Sequence, residues 1–432
     1  MASIVHAQDL QTIEQFPATP HNDASSTASG SSPVDSNRTA VASETPKVNS
    51  LAKRIHGWSW QAFPIGMGTS VVFLTFSGCK EHLQVINTLS TIFFFLTIVI
   101  VCLNTLTLTL QAIPWRLMKD PKRGIFVPLI VLSFAGIIIG VIKYGIPKYG
   151  FNLESAYVLF WAYVAFSIVT CIPMLCIWFN QPHELAEFTP AYAFLIFPMM
   201  LVGLMAFNTL EVIDHTETRN IGILLTGYFF QGLGFFMTFF YICIYILRIL
   251  MTGFLEGHQA NGAFIACGPP GFTALATIKL GEHARTILPQ HQLISTNAGE
   301  IWFAGSVMGG VMLFGLAVFF FIFGACPYWF KVYRRLHEIL GCWALTFPNV
   351  GWILALRVPG DLFHLQAFKV LHLICCCLLT ATWAILFTLT IVAFFKGFIF
   401  NSNDEDVVKD ALYYLDFRKP KESSTSDNDL II

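Results

Sequence analysis

Phe63-Pro64-Ile65-Gly66-Met67-Gly68-Thr69 lies in an apolar stretch that proline interrupts near its middle. The same interruption returns at Val127-Pro128, Phe197-Pro198, Pro269-Pro270 and Phe347-Pro348. Long apolar stretches alternate with these segments and hold little proline, Pro173 excepted. A proline inside a membrane helix removes a backbone hydrogen bond and crowds the preceding turn. In lipid such a defect survives only where neighbouring helices, side chains or water satisfy the freed carbonyls. Breaks at Pro64, Pro128, Pro198, Pro269, Pro270 and Pro348, in every second span, therefore predict an inner ring around a wet path. The unbroken helices form an outer ring facing lipid. This is the plan of a channel or transporter.

Composition sets the class independently. The chain is 55% hydrophobic and only 12% charged, where soluble domains carry about 25% charged residues. A net charge of -1 offers nothing to nucleic acid as a partner. Many of the cysteines, such as Cys171, Cys176, Cys243 and Cys375-Cys376-Cys377, sit inside apolar runs, where they act as small hydrophobes. No C-x-x-C pair or Cys/His zinc spacing is visible.

A spanning helix needs ~20 apolar residues. Such stretches fall near 58–78, 83–110, 125–143, 154–179, 190–211, 219–250, 260–280, 300–325, 341–358 and 369–398. The expectation is an all-α polytopic membrane protein with ten transmembrane helices in five hairpins. Residues 53–400 form the transport domain, with disordered tails at 1–52 and 401–432. An even number of spans puts both tails on one side. The more clustered loop cations, among them Lys119, Lys122, Arg123, Arg334 and Arg335, place that side in the cytoplasm.

The far ends of the odd spans carry Lys80, Lys143, Lys279 and Arg357, with Glu211 and Asp214 on the fifth. If these spans ring one path, its outer mouth is mostly positive, which concentrates anions. Lys279 and Arg357 are the best candidates to meet the permeant ion. Within the path, Gln61, Thr69, Ser70, Ser133, Thr273, Thr277, Thr346 and Asn349 offer neutral hydrogen bonds. Broken helices also aim free backbone N–H groups at a lumen, which suits carboxylates. Enzyme readings are weak. His183-Glu184-Leu185-Ala186-Glu187 lacks the second histidine of a zinc-protease helix. Gly66-Met67-Gly68 lacks the third glycine of a dinucleotide site. No cofactor or metal is expected.

Three of these motifs carry a family resemblance. They are Phe63-Pro64-Ile65-Gly66-Met67-Gly68-Thr69, Gly268-Pro269-Pro270-Gly271-Phe272-Thr273-Ala274 and Trp343-Ala344-Leu345-Thr346-Phe347-Pro348. Over residues 53–400 the chain resembles the tellurite-resistance/dicarboxylate transporter family, within the voltage-dependent anion channel superfamily. It is most similar to the fungal malic acid permease branch. The resemblance implies quasi-fivefold symmetry around a central pore and a homotrimer with one pore per subunit. It implies a phenylalanine gate, which the Thr-Phe-Pro context places on Phe347. It implies transport of malate, succinate and fumarate across the plasma membrane, as proton symport or through an anion channel. Glu211 is the nearest carboxylate for a proton-linked role. Lys279, Arg357, Thr69, Thr273, Thr346 and Asn349 are the expected substrate contacts. The fungal sulfite exporters share the helix plan, so export of sulfite or another small inorganic anion is the alternative.

Overall fold

Helix follows helix along the chain, and among the described residues there is no strand. The computed structural model describes residues 49–79, 84–111, 124–255, 257–330, 338–404 and 407–408. Most of the expected tails 1–52 and 401–432 lies outside the described residues. So do Lys80 at the expected mouth and the loop cations Lys119, Lys122, Arg123, Arg334 and Arg335.

After a short helix Ser50–His56, the principal helices are α1 Phe63–Phe76, α2 Gln84–Thr109 and α3 Leu129–Tyr149. They continue as α4 Leu153–Phe179, α5 Phe197–Leu210, α6 Arg219–Thr252 and α7 Gly268–Gln290. The last are α8 Ala298–Phe330, α9 Phe347–Leu362 and α10 Gln366–Phe395. Eight helical stretches among the described residues are long and apolar enough to cross a membrane. The expected spans 58–78 and 190–211 are met by shorter helices, α1 and α5.

The prolines sit differently from the mid-helix kinks that the sequence predicts. Pro64, Pro198, Pro269, Pro270 and Pro348 each occupy the first turn of an α-helix. There the missing N–H is one that the helix could not have used anyway. A 3₁₀ segment leads into each of these helices: Trp60–Ala62, Pro190–Leu195, Gly257–Cys267 and Trp343–Leu345. Pro128 directly precedes α3 as its N-cap. The breaks are real, but four are a change of helix type at a fresh α-helical start, and at Pro128 a turn leads into α3.

Odd and even helices differ in what they bury. The most apolar stretch of Ala260–Gln290, which contains α7, is 89% buried, against 22% for α8 and 22% for α10. The even helices expose large apolar side chains such as Leu106, Val169, Phe236, Met312 and Ile385. A helix apolar all round, with one face packed and the other bare, suits a lipid boundary. Packing between odd helices runs α1 to α3, α3 to α5, α5 to α7 and α7 to α9, then returns from α9 to α1. Each even helix lies against the odd helix before it.

Two contacts fix this arrangement. Gly271 on α7 and Gly351 on α9 let the two backbones touch. A Cβ on Gly271 would lie 2.7 Å from the Trp352 nitrogen. Small residues permit such close approach in membrane helices. At the other contact, the two ends of the helical body meet. Lys53 Nζ lies 2.8 Å from Asp404 Oδ1, His56 Nδ1 lies 2.8 Å from Ser402 Oγ, and Trp58 stacks on Phe400 with centroids 4.0 Å apart.

Candidate functional site

Two cavities lie along the odd helices, and all five odd segments contribute to both. The first, about 250 Å³, is on the proline side. Pro64 and Met67 of α1, Leu129 of α3, Phe194, Ile265, and Phe347 with Pro348 of α9 are among its walls. The second, about 160 Å³, opens among charges. Its walls include Ser77, Lys143, Asn208 with Glu211, Lys279 with Glu282, and Arg357 with Asp361. Among the described residues, none of the even helices lines either one.

Near the change from one set of lining positions to the other, phenylalanines of α5, α7 and α9 come together. Phe197, Phe272 and Phe347 are all buried. Phe272 and Phe347 have ring centroids 5.2 Å apart, Phe197 and Phe272 5.8 Å, and Phe197 and Phe347 6.4 Å. Phe347 faces the proline-side cavity, while Val350, one turn along the same helix, faces the charged one. The three rings form an apolar cluster; apolar constrictions exclude ions because they cannot replace their hydration.

The charged cavity corrects one expectation. Lys143, Lys279 and Arg357 do converge there, but each faces a carboxylate. Lys143 Nζ is 3.0 Å from Glu211 Oε2, Lys279 Nζ is 2.8 Å from Glu282 Oε2, and Arg357 Nε is 3.2 Å from Asp361 Oδ1. Lys369 adds a further cation 3.5 Å from Asp361. The mouth is a lattice of paired charges rather than a bare positive ring. Glu282 and Asp361 come from the same helix faces as Lys279 and Arg357, at three- and four-residue spacing, which brings side chains together on a helix. Lys143 projects from a π-helical turn, Val141–Gly145. Such turns recur at functional sites because they rotate a side chain out of the regular helical register.

The four neutral hydrogen-bonding candidates lie away from these two cavities. Thr69, Thr273, Thr346 and Asn349 line neither cavity. Thr69 donates to the Ile65 carbonyl at 2.7 Å and accepts from Trp383 Nε1 at 3.1 Å. Thr273 donates to the Pro269 carbonyl at 2.7 Å and accepts from Gln231 Nε2 at 2.8 Å. Thr346 donates to the Trp343 carbonyl at 2.6 Å. Asn349 donates to the Leu345 carbonyl and accepts from Trp352 Nε1. Their polar atoms serve local carbonyls, as Ser and Thr commonly do within helices, and Thr69 and Thr273 also tie odd helices to even ones. Asn208, which the sequence did not single out, has a different setting. It lines the charged cavity, its Nδ2 donates to the Leu204 carbonyl at 2.7 Å, and its buried Oδ1 has no partner.

Comparison with known proteins gives a consistent picture. A family model described as voltage-dependent anion channel matches residues 57–391. A putative malic acid transport protein of Schizosaccharomyces pombe is 25% identical over 370 residues, 83% of this chain and 84% of that protein. A malic acid transport protein of the same organism is 25% identical over 366 residues, 82% and 83% of the two chains. A sulfite efflux pump of Arthroderma otae is 23% identical over 350 residues, 78% of this chain and 89% of that protein.

Proposed function

We propose, from the premise that this chain belongs to the voltage-dependent anion channel family, that it moves C4-dicarboxylates such as malate, succinate and fumarate across the plasma membrane. The family and the transporter-named relatives point to anion transport by a multi-pass membrane protein, not to an enzyme. The observation that carries the proposal is the pair of cavities lined by all five odd segments, with Phe347 and its two neighbours between them. In this reading Phe347 is the gate. Ten spans surround one pore with quasi-fivefold symmetry, both tails are cytoplasmic, and three subunits assemble with a pore each. The domain occupies residues 53–400.

The charged cavity supports the choice of a dianion. An incoming carboxylate competes with Glu282 for Lys279 and with Asp361 for Arg357, so binding exchanges one ion pair for another. The cavity thus presents cations without leaving them bare in a low dielectric, where an unpaired charge is costly. Two such exchanges suit a substrate with two carboxylates. Arg357→Gln tests this directly. Local potential enters the occupancy of a divalent ion as the square of its effect on a monovalent one. A fall of about threefold in chloride flux should accompany about tenfold in malate flux. Equal losses in both would remove the claim of dianion selectivity.

Coupling is decided by whole-cell current with malate on one side, at pH 5 and then pH 7 with malate species held fixed. A reversal potential that follows malate alone makes the protein a channel. One that moves with the proton gradient makes it a symporter, and Glu211→Gln should then abolish the shift. Similarity to sulfite efflux pumps favours a second reading, export of sulfite or a similar small anion. A deletion strain that is sulfite-sensitive while malate flux is untouched would establish it instead.

A further inference from the structure

Three side chains remote in sequence meet at the charged end of the helical body. Cys79 follows α1 in a turn, and His372 and Cys376 stand one turn apart on α10. Their ligand atoms all lie within 4.8 Å of one another. His372 is fully buried, Cys376 is buried and Cys79 is half-buried. We propose that Cys79, His372 and Cys376 form a binding site for a thiophilic metal ion, with Zn²⁺ as the ion their chemistry fits best.

The donor set comes first. Two thiolates and one imidazole are ligands that Zn²⁺ takes at about 2.3 Å to sulfur and about 2.0 Å to nitrogen. Tetrahedral geometry at those lengths spaces the donors about 3.5–3.8 Å apart. His372 Nε2 and Cys376 Sγ already stand 3.5 Å apart. The remaining contraction falls on Cys79, which lies on a turn rather than within a helix.

Orientation of the imidazole comes second. His372 Nδ1 is 2.8 Å from the Ile353 carbonyl of α9. A carbonyl can only accept, so Nδ1 carries the proton and Nε2 presents its lone pair toward the cysteine. Metal-bound histidines are fixed in this way, by donating their other ring N–H to a carbonyl or carboxylate. A helix position with four-residue spacing then puts Cys376 on the same face as His372.

Space and charge agree with a bound ion. Gly78 stands beside His372 Nε2, where a Cβ would approach to 3.3 Å, and Gly78 also lines the charged cavity. Gly78, which borders both, is the link between the site and that cavity. Binding is proton-balanced: Zn²⁺ plus two thiols gives a neutral zinc dithiolate and two protons released to solvent. A neutral product is what a half-buried site tolerates. The ion would join the end of α1 to α10 and, through Ile353, to α9 one turn before Arg357. This inference is independent of the transported substrate, and its test reads no flux.

The test uses the full chain, purified, reduced and stripped with chelator, then titrated with Zn²⁺ and, in parallel, with Co²⁺. We expect one zinc retained per chain, a higher melting temperature, and a sulfur-to-cobalt charge-transfer band in the near ultraviolet. Cys79→Ser and Cys376→Ser should weaken zinc binding about tenfold or more and lose the band. Cys377→Ser, at an exposed position, should change nothing. The proposal fails if wild-type protein retains no zinc or shows no cobalt–thiolate band. It also fails if Cys79→Ser and Cys377→Ser bind alike, or if the protein as isolated carries a Cys79–Cys376 disulfide. The wild-type band decides the matter even where a cysteine variant does not fold.

Discussion

Phe347→Ala should raise basal anion current about tenfold or more, the change that a barrier lowered by about 1.4 kcal/mol produces. Phe347 borders the proline-side cavity, and its ring closes against Phe272 at 5.2 Å. Removing the ring takes away the middle of the barrier and lets water pass from one cavity toward the other. An apolar constriction blocks ions mainly by excluding water, so wetting it lowers the barrier for anions directly. The same truncation leaves a void, and losing a buried phenylalanine costs about 3–5 kcal/mol of stability. Current must therefore be normalised to protein at the cell surface. Phe347→Leu, which keeps most of the apolar volume, should conduct at an intermediate level. Unchanged current from Phe347→Ala at normal surface density would remove the gate from Phe347.

Gly351→Ala should abolish assembly of the folded protein. The added Cβ would fall on the backbone nitrogen of Phe272, 2.6 Å from the Gly271 carbonyl carbon and 2.8 Å from the Phe272 Cα. Every one of these is a main-chain atom, so no side chain can turn aside to make room. Overpacking a core costs about 1–3 kcal/mol where neighbours adjust, and here α7 and α9 must separate along their length. The move would carry Phe272 away from Phe347, so any protein that does fold should also leak. Gly309→Ala is the control. Nothing lies within 4 Å of its added Cβ, and alanine is better than glycine in a helix by about 1 kcal/mol. Fluorescence-detected size exclusion of both variants reads the difference. Equal yields and melting temperatures would contradict the close crossing.

The sequence carried the helix plan because that plan is written in periodic, local signals. Apolar length and recurrent proline mark the spans wherever they pack, and α7 follows from Gly268-Pro269-Pro270-Gly271 without any knowledge of its neighbours. The convergence of Lys143, Lys279 and Arg357 was legible too, because charged residues at the same ends of alternate spans must share one side. Pairing was harder to read. Lys143 meets Glu211 across two helices, a contact that only the fold determines. Direction around a helix was harder still. A threonine in a broken span looks the same whether it faces a path or, like Thr69, a tryptophan on α10. Asn208 is set apart by lining the charged cavity with an unpartnered oxygen, which spacing does not encode. Cys79 and Cys376 sit at opposite ends of the chain, so no local motif joins them.

The meeting of the two ends of the helical body, through Lys53 with Asp404 and Trp58 with Phe400, has a topological consequence. Because α9 packs back on α1, the helix pairs follow one another in a circuit with no first or last member. A circularly permuted form of residues 53–404, with a short linker joining Asp404 to Lys53 and new termini near Gly253 between α6 and α7, would send every helix across the bilayer in its present direction. Exposed connections of this kind are where new termini are tolerated. Synthesis would then begin with α7 and α8, and the path would close around the same residues.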